Sequence, residues 1–171
     1  MPKWPALACF TAIACAASLD VPYVHQQKQG CGPASVAMVM QYWEHQGARF
    51  SEGAATPATV YRALYRPDLH GASSTEMAAY LRANSFAAFE IDGEWKDLNG
   101  NLSRGRPVVV SLRPSEKAPF HYVVVVGVED SQVVVHDPAR RADVAIPAEQ
   151  FQKEWRRSGN WALIAAPEQI P

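Results

Sequence analysis

Gln26-Gln27-Lys28-Gln29-Gly30-Cys31-Gly32-Pro33-Ala34-Ser35 runs directly into Val36-Ala37-Met38-Val39-Met40-Gln41-Tyr42-Trp43, and at that junction a polar loop becomes a helix. Val36, Val39, Met40 and Trp43 recur at the spacing of one helical face. Pro33 suits the first turn, where an N–H would have had no intrahelical partner. Cys31 therefore stands at a helix N-terminus, whose free N–H groups and positive dipole end favour thiolate over thiol. Gly30 and Gly32 flank it, and they read as clearing space for a substrate backbone beside the sulfur.

A thiolate that attacks a carbonyl must share the negative charge that develops on oxygen. The N–H of Cys31 at the helix start supplies one donor. A side-chain amide would supply a second, and Gln26, five residues before the cysteine, is the first choice with Gln27 as the fallback. Adjacent His25 reads as a loop or substrate-facing residue, because one turn can hardly bring it to both the sulfur and an orienting carboxylate.

Downstream, residues 107–112, 121–128 and 132–138 carry β-branched runs bounded by polar turns, with Glu129-Asp130-Ser131 as a short hairpin connection. These are three strands, and their continuous apolar content implies a sheet covered on both faces. His121 opens one strand and Asp137 closes its neighbour, so antiparallel pairing brings them to the same end. Sixteen positions separate them, an even count that puts both on one face if a three-residue loop joins the strands without a bulge. An imidazole held by a carboxylate keeps the tautomer that aims its other nitrogen at a thiol. His136 competes for the role of base, but alternation along the strand turns it away from Asp137. Cys31, His121, His136 and Asp137 could also be read as zinc ligands, yet they lack paired metal-binding spacing. His45 and His70 have no partners visible in sequence.

The chain has 171 residues, 48% of them hydrophobic and 19% charged, which suits one globular domain. Sixteen basic and 17 acidic residues give a formal net charge of -1. With no basic face, nucleic acid is not an expected partner. No cofactor or metal is expected either. Residues 1–18 combine Lys3, an apolar stretch from Trp4 to Ala17 and small residues before Asp20, the pattern of a short export signal. Residues 19–171 form the folded domain, and the location expected is periplasmic or extracellular. Ala14-Cys15-Ala16 suits ordinary cleavage, whereas Ala12-Ile13-Ala14-Cys15 resembles a lipoprotein signal that would anchor the chain to a membrane through Cys15. With Cys9 and Cys15 in the signal, the domain retains Cys31 alone. An unpaired thiol in an oxidising compartment is a liability, which favours a chemical role.

Helices are expected over 56–65, 74–84 and 94–104, all packing beside the cysteine helix, and over 148–157. Further strands are expected over 86–91, 142–146 and 160–166. Trp43, Trp155 and Trp161 read as core or rim. The class is α+β: a helical lobe presenting Cys31 against an antiparallel sheet presenting His121 and Asp137.

Gln-x-x-x-x-Cys-Gly-Pro-Ala-Ser opening a helix, then His-Tyr-Val-Val-Val and Asp-Pro far downstream, resembles the bacteriocin-processing peptidases. These are papain-like cysteine peptidases that remove leader peptides after double-glycine sites. The resemblance covers the chain from residue 19 onward and implies a papain-like fold. It further implies Gln26 as oxyanion donor, Cys31 as nucleophile, His121 as base and Asp137 as orienter. In transporter-linked members the glutamine stands six residues before the cysteine, where this chain has His25; Gln26 follows the spacing of stand-alone relatives. This chain carries no nucleotide-binding loop, and an export signal would separate it from cytoplasmic leader processing. Another peptide substrate is expected. The same groups also serve an acyl transferase or amidase, and a non-catalytic peptide-binding module remains the alternative from another class.

Overall fold

A computed structural model describes residues 18–129 and 131–169. The expected export signal, with Cys9 and Cys15, falls on residues 1–17 and lies outside the described residues. The chain runs α1 (Cys31–His45), α2 (Pro57–Leu64), α3 (Ser74–Ala83), β1 (Phe86–Asp92), α4 (Trp95–Leu102), β2 (Val108–Leu112), β3 (His121–Val128), β4 (Gln132–Asp137), β5 (Arg141–Pro147), α5 (Ala148–Arg156) and β6 (Trp161–Pro167). The strands form one antiparallel sheet in the order β1-β6-β2-β3-β4-β5.

Strand alternation divides the core in two. Val109, Val124, Val126, Val134 and Leu163 face α1, α2 and α3, while Val108, Val110, Val123, Val125, Val133 and Val135 face α4 and α5. Unbroken valine runs are thus buried on both sides, as their composition requires. The helix that begins at Cys31 goes further than one apolar face: Gly32 through Met40, Tyr42 and Trp43 are all buried. Trp43 donates its indole N–H to the Ala165 carbonyl at 3.1 Å, tying the helix to β6.

Two expectations are corrected. The segment expected over 94–104 does form a helix, opened by a reciprocal Glu94–Asp97 capping box, but it does not join the cysteine helix. Leu98 and Leu102 pack it on the opposite face of the sheet with Phe151 and Trp155. Helical periodicity shows that a helix has an apolar face, whereas the partner of that face depends on which side of the sheet the chain crosses.

The hairpin parity is also met by a different route. Glu129 and Gln132 exchange backbone bonds, 2.8 Å from Glu129 N–H and 3.4 Å from Gln132 N–H, so two positions intervene rather than three. Carried along the strands, that register would put His121 and Asp137 on opposite faces. A bulge at Val126 resets it: Gly127 lies opposite Val134, but Val125 lies opposite Val135. The Val126 carbonyl accepts from Leu19 N–H at 2.8 Å, which satisfies a polar group at the irregularity.

Candidate active site

Gly30 caps α1 through its backbone, and the first bond into the helix runs from Ala34 N–H to Gly30 carbonyl at 3.0 Å. The N–H groups of the first turn are therefore left to serve other acceptors. That of Gly32, together with the Tyr122 backbone N–H from β3, is aimed at the Cys31 sulfur. Tyr122 was not foreseen from sequence, because a backbone donor leaves no side-chain signature.

The flanking glycines have a different purpose from the one expected. A Cβ at Gly30 would come within 2.8 Å of Tyr61 Cε2, and one at Gly32 within 2.9 Å of both Ala72 Cβ and Met77 Sδ. They allow the protein's own side chains to close around the start of α1; the space beside them is filled, not held open for substrate.

His121, at the start of β3, places Nε2 2.7 Å from Asp137 Oδ1 at the end of β4. With Nε2 committed to the carboxylate, Nδ1 is the nitrogen left for Cys31, whose sulfur meets the same ring. Asp137 Oδ1 also accepts from Ala139 N–H at 2.9 Å. The turn that follows Asp137 is tied to the N-terminal segment: Gln26 N–H donates to the Pro138 carbonyl at 2.9 Å. The Tyr23 hydroxyl is shared between the Asp137 and Pro138 carbonyls, at 3.1 and 3.3 Å.

Burial opposes ionisation of Cys31, yet the His121 hydrogen bond, the Tyr122 and Gly32 N–H groups and the charge on His121 outweigh it and hold the thiol below its ordinary 9.0. Burial likewise pushes His121 down, but hydrogen bonds to Asp137 and Cys31 and their negative charges lift it to about 9. For Asp137, burial pushes up while the His121 bond and charge, the Ala139 N–H and Arg140 hold the carboxyl below its usual range. The imidazolium stabilises both the thiolate and the carboxylate, each of which stabilises it in turn, and the titrations are coupled.

The sulfur opens into a cleft of about 460 Å³ lined by Gln26, Gln29, Leu69, His70, Phe120, His121 and Tyr122 among others. Gln26 is half-buried, and its carboxamide oxygen is buried without a hydrogen-bond partner. Gln27 and His25 are exposed; His25 Nδ1 lies 3.4 Å from the Tyr23 hydroxyl. A second groove, of about 500 Å³, lies on the Asp137 side of His121 and shares Pro119, Phe120 and His121 with the cleft. Leu69 and Phe120 are cleft residues that sequence reading missed, because an apolar residue in a loop carries no period to expose its role.

His136 is turned away from this group. Its Nδ1 accepts from Asp143 N–H at 3.2 Å, so the proton resides on Nε2, which donates to the Val21 carbonyl at 2.9 Å. Among the described residues no three His, Cys, Asp or Glu side chains converge on a metal-sized site, and the zinc arrangement considered from sequence is not assembled.

A helix that presents a partly buried thiol to a histidine–carboxylate pair on an antiparallel sheet defines the papain-like cysteine peptidase class. The chain belongs to the Peptidase C39-like family, whose model matches residues 18–163, and it is a cysteine peptidase. Among solved structures it is similar to a double glycine motif protease from an AMS/PCAT transporter, captured with its leader peptide: TM-score 0.66, 22% identity, covering 88% of this chain and 94% of that one. It is also similar to the peptidase domain of Streptococcus ComA, a bifunctional ABC transporter of a quorum-sensing pathway, at TM-score 0.65 and 21% identity, covering 86% and 98%. A C39-like peptidase from Bacillus anthracis matches at TM-score 0.60 and 16% identity, covering 86% and 94%. No curated protein matches the chain in sequence.

Proposed function

We propose that the chain hydrolyses peptide bonds through Cys31, His121 and Asp137, with Gln26 and the Cys31 backbone N–H as oxyanion donors. The observation that carries this reading is the 2.7 Å bond from His121 Nε2 to Asp137 Oδ1 on a ring that also meets the Cys31 sulfur. The thiolate attacks the carbonyl carbon, and the tetrahedral oxygen is held by the two donors. His121 gives its Nδ1 proton to the departing amine as the C–N bond breaks and a thioester remains. It then takes a proton from water, whose oxygen displaces the sulfur and releases the carboxylic acid. Asp137 holds the ring orientation throughout. A peptide substrate is supported by the leader peptide bound to the similar double glycine motif protease. The place of Gln26 in the lining of the cleft that holds Cys31 supports its carboxamide N–H as the second donor.

The apolar stretch at residues 4–17 supports export across a membrane, with Cys15 as a lipid attachment point in one of the two cleavage modes. Fractionation of expressing cells, with radiolabelled fatty acid to detect a lipid at Cys15, tests location.

The catalytic reading is tested by treating folded protein with iodoacetamide near pH 7 and by tandem mass spectrometry of peptides incubated with wild type or Cys31→Ala. Faster alkylation of Cys31 than of free cysteine, and products that require Cys31, are expected. An unmodified Cys31 and the same products from both proteins would overturn it.

A further inference from the structure

The cleft at Cys31 is lined in part by two large apolar side chains left open to water. Leu69 and Phe120 are each 56% exposed, both line the cleft that contains Cys31, and they come from loops about fifty residues apart in sequence. Single exposed apolar residues are ordinary on a protein surface; two of them lining the one cleft that holds Cys31 are not scattered.

Each is also held on a braced mount. Leu69 ends a short 3-10 turn at Pro67–Leu69, closed by paired backbone bonds between Arg66 and Gly71 at 2.8 and 3.3 Å. Arg66 is tied in turn to Glu76 at the start of α3, at 3.1 Å. At Phe120, the Arg113 guanidinium sits 5.0 Å from the ring centroid, while its Nε donates to the Ala118 carbonyl at 3.0 Å. Arg113 is itself fixed by its backbone N–H to Glu154 at 3.1 Å. The walls are therefore preorganised, and a ligand that covers them gives up little ordering entropy.

We propose that Leu69 and Phe120 together form an apolar specificity clamp that selects a large apolar or aromatic side chain on a residue flanking the cut bond. This rests on the reading of Cys31 as peptidase nucleophile. A glycine at that position leaves both walls in water, whereas Leu, Met, Phe or Tyr covers them. Discrimination of this kind in an apolar pocket is about 10- to 200-fold per hydrophobic increment. The preference separates this chain from cleavage directed by a glycine pair.

The full chain is incubated with a mixed peptide library and product termini are sequenced, for wild type, Leu69→Ala, Phe120→Ala, the double variant, Phe120→Leu and Cys31→Ala. Wild type is expected to favour large apolar residues beside the cut over glycine by at least about tenfold. That ratio falls toward one in the double variant and is partly restored by Phe120→Leu, with only a small change in melting temperature because both side chains are more than half exposed. Cys31-dependent cleavage with glycine equally favoured, or with the same profile in the double variant, overturns the clamp alone. Absence of any Cys31-dependent cleavage overturns the peptidase reading and the clamp with it.

Discussion

Two histidines on neighbouring strands of one hairpin have opposite fates. His121 meets groups that can change charge: the Asp137 carboxylate at 2.7 Å and the Cys31 thiol. His136 is bonded through backbone groups, the Val21 carbonyl and the Asp143 N–H, with the exposed Asp143 carboxylate farther off at 3.7 Å. The side chain of His121 keeps 28% of its surface exposed and that of His136 only 5%. An imidazole becomes reactive when its partners titrate and a cleft reaches it. The same ring becomes structural when backbone groups occupy both nitrogens.

The largest separation between them is expected in turnover. His121→Ala lowers kcat/KM by about 10³-fold or more, the scale of a lost general acid–base, as measured with a peptide cleaved by wild type. Asp137→Asn follows with a loss of about 10²-fold, because the ring loses its orienting acceptor, and the alkaline limb of the Cys31 alkylation profile moves below its wild-type position near 9. His136→Ala inverts the pattern. It leaves the buried Val21 carbonyl without its donor, at a cost of about 1–3 kcal/mol, read from urea unfolding, while kcat/KM of the folded fraction changes far less than in His121→Ala.

The smallest effect is in stability against pH, and it tests the coupling itself. Taken singly, the raised His121 contributes stability that is complete below its ordinary 6.5 and lost as pH rises through about 9. The lowered Cys31 contributes stability that is complete above its ordinary 9.0 and lost as pH falls through its depressed value. Between 6.5 and 9 the folded pair carries one proton on His121, and the unfolded pair carries one on Cys31, so the two slopes cancel. Cys31→Ala removes one side of the balance. The variant, with Asp137 still raising His121, loses stability as pH rises through that range, whereas wild type stays flat; parallel curves for the two proteins would break the ion-pair picture.

Much of this contrast was legible before folding, for local reasons. Successive strand residues alternate, so His136 and Asp137 had to diverge. Antiparallel pairing had to bring His121 and Asp137 to one end. The start of α1 at Cys31 followed from the change of pattern at Pro33 to Val36. Contacts between distant segments were not legible. The Val126 bulge restores the parity that the tight turn at Glu129 and Gln132 would have broken, and a valine in a run of valines gives no sign of it. Gly30 and Gly32 looked like room for substrate until Tyr61, Ala72 and Met77 were found against them.

By itself the sequence determined the helix that carries Cys31, a sheet covered on both faces, and the residue types able to act on a carbonyl. These follow from the side-chain period and backbone propensity over a few residues. Tertiary structure alone decided which backbone groups occupy the two nitrogens of His136 and which backbone N–H, that of Tyr122, supports the thiolate. It also placed α4 on the far face and brought Leu69 and Phe120 into the lining of one cleft. Those outcomes depend on register and packing between segments tens of residues apart, and local pattern holds no record of them.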